Sequence, residues 1–273
     1  MNAIQEDYKM GFFSKITGKT KANKAVRCHA SANKASDRGQ LDEAKKLFSE
    51  ALRLYSEAYD SGFRSSNFLQ PYAILLMREG DIEKARKIFL EVQNIKGLSK
   101  DDWHNLRVNY SICQWKTGQL DKAIETVGHA AREKMNSTVY NTLGMFLVDK
   151  ARETGEIQEA MDFNMKAMDY DDEDGATLDN LGQLYMVMAD IEKAKGAAEK
   201  AAEYTAKARS LMEKAHENKP RQITTIYYLA ELMYEAGEIE AAREMIHNSD
   251  DIYFTALCPV SRAMMEELAK KIG

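Results

Sequence analysis

One hexapeptide recurs six times along the chain with small changes, and this repetition constrains the fold more than any other feature of the sequence. The copies are GQLDEA at Gly39, GDIEKA at Gly80, GQLDKA at Gly118, GEIQEA at Gly155, ADIEKA at Ala189 and GEIEAA at Gly237. Their first residues are separated by 41, 38, 37, 34 and 48 residues, close to the period of architectures built from repeated helix pairs. The spacing predicts a stack of similar units, each packed mainly on its neighbours.

The segments around each hexapeptide predict two helices joined by a turn. Apolar residues recur at helical spacing before the hexapeptide, as at Tyr140, Leu143 and Leu147, and again after it, as at Ala85 and Phe89. Glycine tolerates the left-handed backbone that ends a helix, so the hexapeptide is expected to be the turn. Small residues in the middle of each first helix and at the end of each hexapeptide let the two helices approach closely. With only three prolines in 273 residues, the sequence predicts an all-α fold.

In this pattern the sequence resembles the tetratricopeptide repeat (TPR) family, in which a bulky residue, Leu-Gly or Leu-Ala, an aromatic residue and Gly-x-x-x-x-Ala follow one another in each repeat. The fourth copy shows the pattern with Tyr140, Leu143 and Gly144, followed by the turn from Gly155 to Ala160. The match extends from about residue 25 to residue 248 and is weakest in the third copy. The resemblance implies a right-handed helix-pair solenoid, a TPR-like superhelix of about six repeats that covers residues 25–258.

Two terminal segments lie outside the predicted repeats. Residues 1–24 carry five lysines against two acidic residues and are expected to form a basic tail or short helix. The GFFSKI motif at residues 11–16 suggests weak contact with an anionic membrane surface, while a disordered tail and a helix packed on the first repeat are the alternatives. Met10 is a second candidate for the start of the chain. Residues 259–273 begin with a proline and continue with apolar residues on one side, which predicts a C-terminal capping helix.

The 48-residue interval predicts an elongated helix. Small residues run at helical spacing from Ala194 to Ala215 without a break, which indicates one helix over about residues 191–218. A helix of that length extends roughly 42 Å and projects past its neighbours. It is expected to serve either as a lever or docking arm or as a repeat-specific extension packed on its own neighbours.

The resemblance also implies which side chains face a partner, because in the TPR family the first helices of successive repeats line the concave inner surface. Amides and large apolar residues recur at those positions. Side-chain amides pair with a peptide backbone without fixing its sequence, and methionine and aromatic residues supply adaptable apolar contact. The predicted peptide- or protein-binding groove is lined by Asn33, Asn67, Gln70, Asn105, Ile112, Trp115, Asn141, Met145, Gln183, Met186, Tyr227 and Tyr234.

These features predict a non-enzymatic adaptor or scaffold that binds a peptide or a protein surface in the concave groove. The alternative is a peptide-sensing regulatory module that binds a short signalling peptide and acts through a separate output protein. Binding of chaperone tails is disfavoured, because His29 and Pro71 stand where the family members that grip such tails carry lysine and asparagine. The sequence leaves open the identity of the partner and the formation of a homo-oligomer.

Charge and motif content argue against several other classes. A formal net charge of −5 gives no broad basic footprint for a nucleic acid. Three widely separated cysteines indicate neither a disulfide framework nor a zinc site and fit a reduced, cytoplasmic setting. No apolar run approaches the roughly 18 residues of a membrane span. The scattered histidines and the lack of catalytic motifs predict no metal, no cofactor and no enzymatic activity.

Overall fold

The structure is a computed structural model that describes residues 2–273, with side chains from Thr17 onward. The described chain is all-α and contains no strand, which confirms the predicted fold class. Its helices are α1 (Asn2–Asp37), α2 (Leu41–Asp60), α3 (Ser66–Arg78), α4 (Ile82–Gln93), α5 (Lys100–Lys116), α6 (Leu120–Glu133), α7 (Ser137–Thr154), α8 (Gln158–Tyr170), α9 (Gly175–Ala194), α10 (Ala198–Asn218), α11 (Ile223–Glu235), α12 (Ile239–His247) and α13 (Arg262–Ile272).

The first twelve helices form six successive pairs, and a short glycine turn joins the two helices of each pair. The turn glycines have φ between 73° and 93°, a left-handed conformation that costs glycine no steric strain. The fifth residue after each glycine is an alanine with at most 2% of its surface exposed, so the second helix begins with a small residue in the core. The turns are at Gly39, Gly80, Gly118, Gly155, Gly196 and Gly237, and the alanines are Ala44, Ala85, Ala123, Ala160, Ala201 and Ala242.

The predicted elongated helix at 191–218 is wrong, because the chain turns at Gly196. Helix α9 ends at Ala194, Gly196 has φ of 76°, and α10 begins at Ala198. The hexapeptide of the fifth pair is therefore GAAEKA at 196–201, whereas ADIEKA at 189–194 lies inside α9. With this correction the turn glycines are separated by 41, 38, 37, 41 and 41 residues, and no surplus remains for a projecting helix.

The chain divides into two compact units, which differ from the single repeat domain expected over residues 25–258. Unit 1 comprises Met1–Leu106 with Thr255–Leu257, and unit 2 comprises Arg107–Phe254 with Cys258–Gly273. The core of unit 1 contains a cluster of buried aromatic rings, in which Tyr55 and Tyr72 stack with ring centroids 5.3 Å apart and Phe68 stacks on Tyr72 at 6.1 Å. These large rings hold α2 and α3 together by apolar burial.

The core of unit 2 depends on glycines at helix crossings. A Cβ atom on Gly144 of α7 would lie 2.5 Å from Asn164 Oδ1, and a Cβ on Gly182 of α9 would lie 2.9 Å from Met212 Cε. At both crossings a side chain of the second helix occupies the space that a larger residue on the first helix would need. The predicted role of small residues in the first helices is confirmed at these two crossings.

The ends of the chain continue the helical packing. Helix α1 passes through residue 24 without interruption, Ala22 and Ala25 are buried, and Lys21 Nζ lies 2.7 Å from Glu57 Oε2 of α2, so the boundary expected at 24/25 is not a helix end. The apolar motif at 11–16 lies outside the residues with described side chains. Helix α13 buries Met265 and two further apolar residues against α11 and α12. Among the described residues, no helix combines the length and the apolar character that crossing a membrane requires.

Candidate functional site

A chain of hydrogen-bonded polar side chains connects the first helices of consecutive pairs in unit 2. Trp115 Nε1 at the end of α5 donates to Asp149 Oδ2 of α7 at 2.8 Å. Arg152, one turn later on α7, donates from Nη1 to Asp149 Oδ1 at 2.8 Å and from Nη2 to Gln183 Oε1 of α9 at 3.1 Å. Three helices from three different pairs therefore share one polar cluster, which we call the Trp115 network.

The Trp115 network continues from α9 to α11. Gln183 Nε2 donates to Asp179 Oδ2 at 2.8 Å, so the amide is oriented by a donor on one side and an acceptor on the other. Asp179 is only 3% exposed, and it also accepts hydrogen bonds from Thr225 Oγ1 at 2.7 Å and Thr224 Oγ1 at 3.1 Å. A buried carboxylate with several donors is held rigidly, so Asp179 fixes the deep end of the network.

Burial sets the ionisation of the groups in and beside the network. It raises the pKa of Asp149, an effect that the cation of Arg152 and the hydrogen bond from Trp115 oppose. Burial also raises the pKa of Asp179, against the hydrogen bonds of Thr225, Gln183 and Thr224. The neighbouring Lys116 has a lowered pKa because it is buried. Burial thus disfavours the charged form of both acids and of the lysine, whereas Arg152 is exposed to solvent.

Lys116, which follows Trp115 at the end of α5, binds a main-chain carbonyl. Its ammonium lies 4.4 Å from the centroid of the Trp115 ring and donates to the carbonyl of Cys258 at 3.1 Å. Cys258 belongs to the irregular segment between α12 and α13, and burial raises the pKa of its thiol to about 11. The Lys116 ammonium beside the Trp115 ring therefore already binds a backbone oxygen next to the Trp115 network.

The predicted groove residues of unit 2 fall into two groups. Trp115 and Gln183 belong to the Trp115 network and are joined through Asp149 and Arg152. Asn141 has a different task, because its Oδ1 accepts from Thr177 and its backbone carbonyl accepts from Asn180, so it links α7 to α9. The apolar residues in the prediction are half-buried and pack against the core clusters of unit 2, namely Ile112, Met145, Met186, Tyr227 and Tyr234.

The four predicted residues of unit 1 do not form one cluster. Asn33 accepts a hydrogen bond of 2.6 Å from Arg78 Nη1, which joins α1 to α3. Gln70 is buried and donates to Ser66 Oγ and to the backbone carbonyl of Asp102. The other two residues, Asn67 and Asn105, are exposed. In unit 1, Asn33 and Gln70 therefore hold parts of the fold together, whereas Asn67 and Asn105 are exposed to solvent.

The sequence prediction missed Asp149 and Arg152, which hold the network together. A signal for both was present, because Asn141, Met145, Asp149 and Arg152 follow one another at intervals of four, four and three residues and so share one face of α7. On α7 the predicted groove ended at Met145, one helical turn before Asp149. Among the side chains from Thr17 onward, no group of three or more histidine, cysteine or acidic residues is placed to hold a metal ion.

Comparisons with known proteins identify the fold. No protein-family model and no curated protein matches the chain. A chain of the APC/C hetero-tetramer Cut9–Hcn1 is similar with a TM-score of 0.56 and 15% identity, covering 91% of this chain and 46% of that one. A monomeric IFIT1 mutant with Gppp-AAAA is similar with a TM-score of 0.49 and 16% identity, covering 88% of this chain and 61% of that one. A TPR protein from Parabacteroides merdae is similar with a TM-score of 0.43 and 12% identity, covering 93% of this chain and 99% of that one.

Together with the six helix pairs, the similarity to the Cut9–Hcn1 chain shows that the chain has the TPR fold. The resemblance inferred from the hexapeptide is confirmed at the level of fold. The chain spans 46% and 61% of the lengths of the first two of these structures. An identity of 15% to the Cut9–Hcn1 chain establishes the architecture alone.

Proposed function

We propose that this protein is a non-enzymatic interaction module that binds a peptide segment of another protein along the first helices of unit 2. The observation that carries the proposal is the Trp115 network, in which side chains from α5, α7 and α9 are fixed in one hydrogen-bonded cluster. Fixed side chains lose little conformational entropy when a ligand binds, so a preorganised surface of this kind favours recognition.

The side chains at the solvent edge of the network suit a peptide main chain and its polar groups. The guanidinium of Arg152 is exposed and retains N–H donors for carbonyl or carboxylate oxygens. The indole of Trp115 is half-buried, rests against the Phe146 ring with centroids 5.8 Å apart, and offers a large apolar surface. Tryptophan and arginine are the residue types that most often dominate binding energy at interfaces. Support also comes from Cut9–Hcn1, where a protein of the same fold is part of a hetero-tetramer.

The test is selection of peptides from a displayed random library on the immobilised full chain, followed by anisotropy titrations of the selected peptides. The informative variants are Trp115→Phe, which keeps an aromatic ring and removes the indole donor, and Arg152→Ala. Matched controls are Trp103→Phe, at the other tryptophan of α5, and Arg132→Ala, at an exposed arginine of α6.

We expect Arg152→Ala to weaken the selected peptides by about tenfold or more, and Trp115→Phe to weaken them by several-fold, because central tryptophan and arginine side chains carry most interface energy. The control variants should stay within about twofold of wild type. Peptides that bind all four variants equally would show that the network is not the binding site. Selected peptides that bind alone but not within a folded protein would favour the peptide-sensing alternative.

A further inference from the structure

The C-terminal end of α8 carries a cluster of three aromatic rings. The Tyr170 ring centroid lies 4.8 Å from that of Tyr140 on α7, and the Tyr140 centroid lies 5.7 Å from that of Phe163. Phe163 and Tyr170 are seven residues apart and therefore share one side of α8. Tyr140 and Phe163 are half-buried, whereas Tyr170 is 54% exposed. The cluster thus presents one aromatic ring to solvent, supported by two rings that are held in the fold.

A second large apolar side chain is exposed on the same helix. Met165 is 45% exposed, and Asp169 follows it by four residues and directly precedes Tyr170. On the helix surface Asp169 therefore lies between the two apolar side chains. Among the side chains from residue 17 onward, four large apolar residues are exposed, and Met165 and Tyr170 are the two that share a helix. The second half of α8 thus concentrates apolar surface that a partner could cover.

Unpaired negative charge surrounds these two side chains. Six carboxylates are exposed on α8 and on the loop that follows it, against one exposed lysine of the helix, Lys166. Within the described part of the chain, none of the six forms an ion pair. The six acids are Glu159, Asp162, Asp169, Asp171, Asp172 and Glu173. The exposed face of α8 and its loop therefore carry a net negative charge that the described protein groups leave unpaired.

The loop after α8 is held in place by α10. Lys214 Nζ donates to the carbonyl of Asp172 at 3.0 Å, and Asn218 Nδ2 donates to the carbonyl of Glu173 at 2.7 Å. Both bonds are made to the main chain, and the side chains of Asp172 and Glu173 stay exposed. Because the backbone of the loop is already fixed, a partner that binds its carboxylates has little loop ordering to offset.

An exposed tyrosine ring among unpaired carboxylates suits a cationic side chain. The face of the ring attracts an ammonium or guanidinium group, and a neighbouring carboxylate adds a charge-assisted hydrogen bond. The same charge repels phosphate groups, so a nucleic acid or an anionic membrane is disfavoured as the partner. An acidic helix face alone is ordinary solvated surface, but Tyr170 and Met165 add the apolar contact that a protein interface contains. Lys166, four residues before Tyr170, opposes a cation at the ring.

We propose that the exposed face of α8 and the loop after it bind a basic segment of a partner protein. Arginine or lysine side chains of the segment lie on the Tyr170 ring and pair with the carboxylates of Asp162 and Asp169, and an apolar side chain packs on Met165. The surface goes beyond the function proposed above, because it includes no residue of the Trp115 network. Success or failure of one proposal leaves the other unaffected.

The experiment begins with selection of peptides from a displayed random library on the immobilised full chain. Peptides that also bind a variant with Met165→Ser and Tyr170→Ser, the apolar double variant, are then removed. Ligands of the Trp115 network bind this variant as well as wild type and are removed with them. The survivors are the peptides that need the exposed side chains of α8.

Anisotropy titrations of the survivors compare wild type with variants that change only charge. Asp162→Asn with Asp169→Asn, the acidic double variant, removes two carboxylates beside the apolar side chains. Lys166→Gln removes the opposing cation. The matched control carries Glu199→Gln and Glu244→Gln, which remove two exposed carboxylates elsewhere in unit 2.

We expect the survivors to contain more arginine and lysine than the unselected library. The acidic double variant should weaken their binding by about threefold or more, and Lys166→Gln should strengthen it by about twofold, because each exposed ion pair or repulsion contributes modestly. The matched control and Arg152→Ala should leave the affinity within about 1.5-fold of wild type, because distant exposed charges are screened.

The absence of survivors, survivors without an excess of basic residues, and equal affinity for wild type and the acidic double variant each overturn the proposal. Survivors that are lost on Arg152→Ala bind the Trp115 network, which supports the first function and rejects this one. Circular dichroism checks that the apolar double variant is folded. If it is not, the acidic double variant serves for the removal step, and the basic content of the survivors and the gain on Lys166→Gln decide the matter.

Discussion

Replacing Gly196 with alanine gives opposite results for a turn and for a continuous helix. Gly196 has φ of 76°, and a Cβ atom there would meet nothing within 4 Å, so the effect is purely conformational. A left-handed alanine costs about 1–2 kcal/mol, partly offset by about 0.4–1 kcal/mol because alanine restricts the unfolded chain. We expect a net destabilisation of about 1 kcal/mol. If residues 191–218 formed one helix, the same change would instead stabilise it by about 0.5–1 kcal/mol.

The assay is urea unfolding followed by circular dichroism, in which a change of about 1 kcal/mol moves the midpoint by roughly 0.3–1 M. Gly128→Ala is the control, because Gly128 lies inside α6 and its Cβ would come no closer than 3.7 Å to the Arg132 side chain. Alanine there should raise the midpoint, as expected for an ordinary helical position. A rise for Gly196→Ala of the same size as for Gly128→Ala would refute the turn and restore the long helix.

Three further predictions use the same unfolding measurement. Gly144→Ala should destabilise by about 1–3 kcal/mol, because its Cβ would lie 2.5 Å from Asn164 Oδ1; a loss under half a kilocalorie would mean that α8 moves aside. Burial and a neighbouring cation lower the pKa of His29 to about 4 from 6.5, so the unfolded chain binds more protons between these values and stability falls as pH falls through them. Wild type should lose about 2 kcal/mol more than His29→Asn between pH 7.5 and 5, and equal losses would exclude His29 as the cause. In a double-mutant cycle, Trp115→Phe and Asp149→Asn should show a coupling of about 1 kcal/mol, whereas additive effects would contradict their hydrogen bond.

The helix pairs could be predicted from the sequence because their signals are local. A glycine that must adopt positive φ and an alanine that must fit a helix crossing are each required by the backbone within a few residues. The error in the fifth pair has the same origin. ADIEKA at 189–194 matches GDIEKA at 80–85 at every position except the first, where Ala189 replaces the glycine that the turn requires. A glycine that can adopt positive φ, more than the similarity of the hexapeptide sequences, identifies the turn.

The candidate site was only partly predictable because its bonds join residues about one repeat apart. Trp115 and Asp149 are 34 residues apart, and Arg152 and Gln183 are 31 apart, so neither bond leaves a local pattern. Asn141 illustrates the opposite error, because it was predicted to line the groove but instead links two helices. An amide on a first helix is suited to bind a peptide, but here Thr177 of the next first helix donates to the side-chain oxygen of Asn141, and Asn180 donates to its backbone carbonyl. Repeat position predicts the face of a helix, and only the neighbouring helix determines which polar groups remain for a ligand.

The corrected positions of the turns divide part of the chain into two segments of equal length, each running from one turn to the next. Gly155, Gly196 and Gly237 are spaced at equal intervals of 41 residues, each with φ between 76° and 79°. Removing residues 156–196 would therefore join the end of α7 to the start of α10 across a glycine that already has the required geometry. Unequal recombination at these points would lengthen or shorten the array by a whole pair and keep every turn intact.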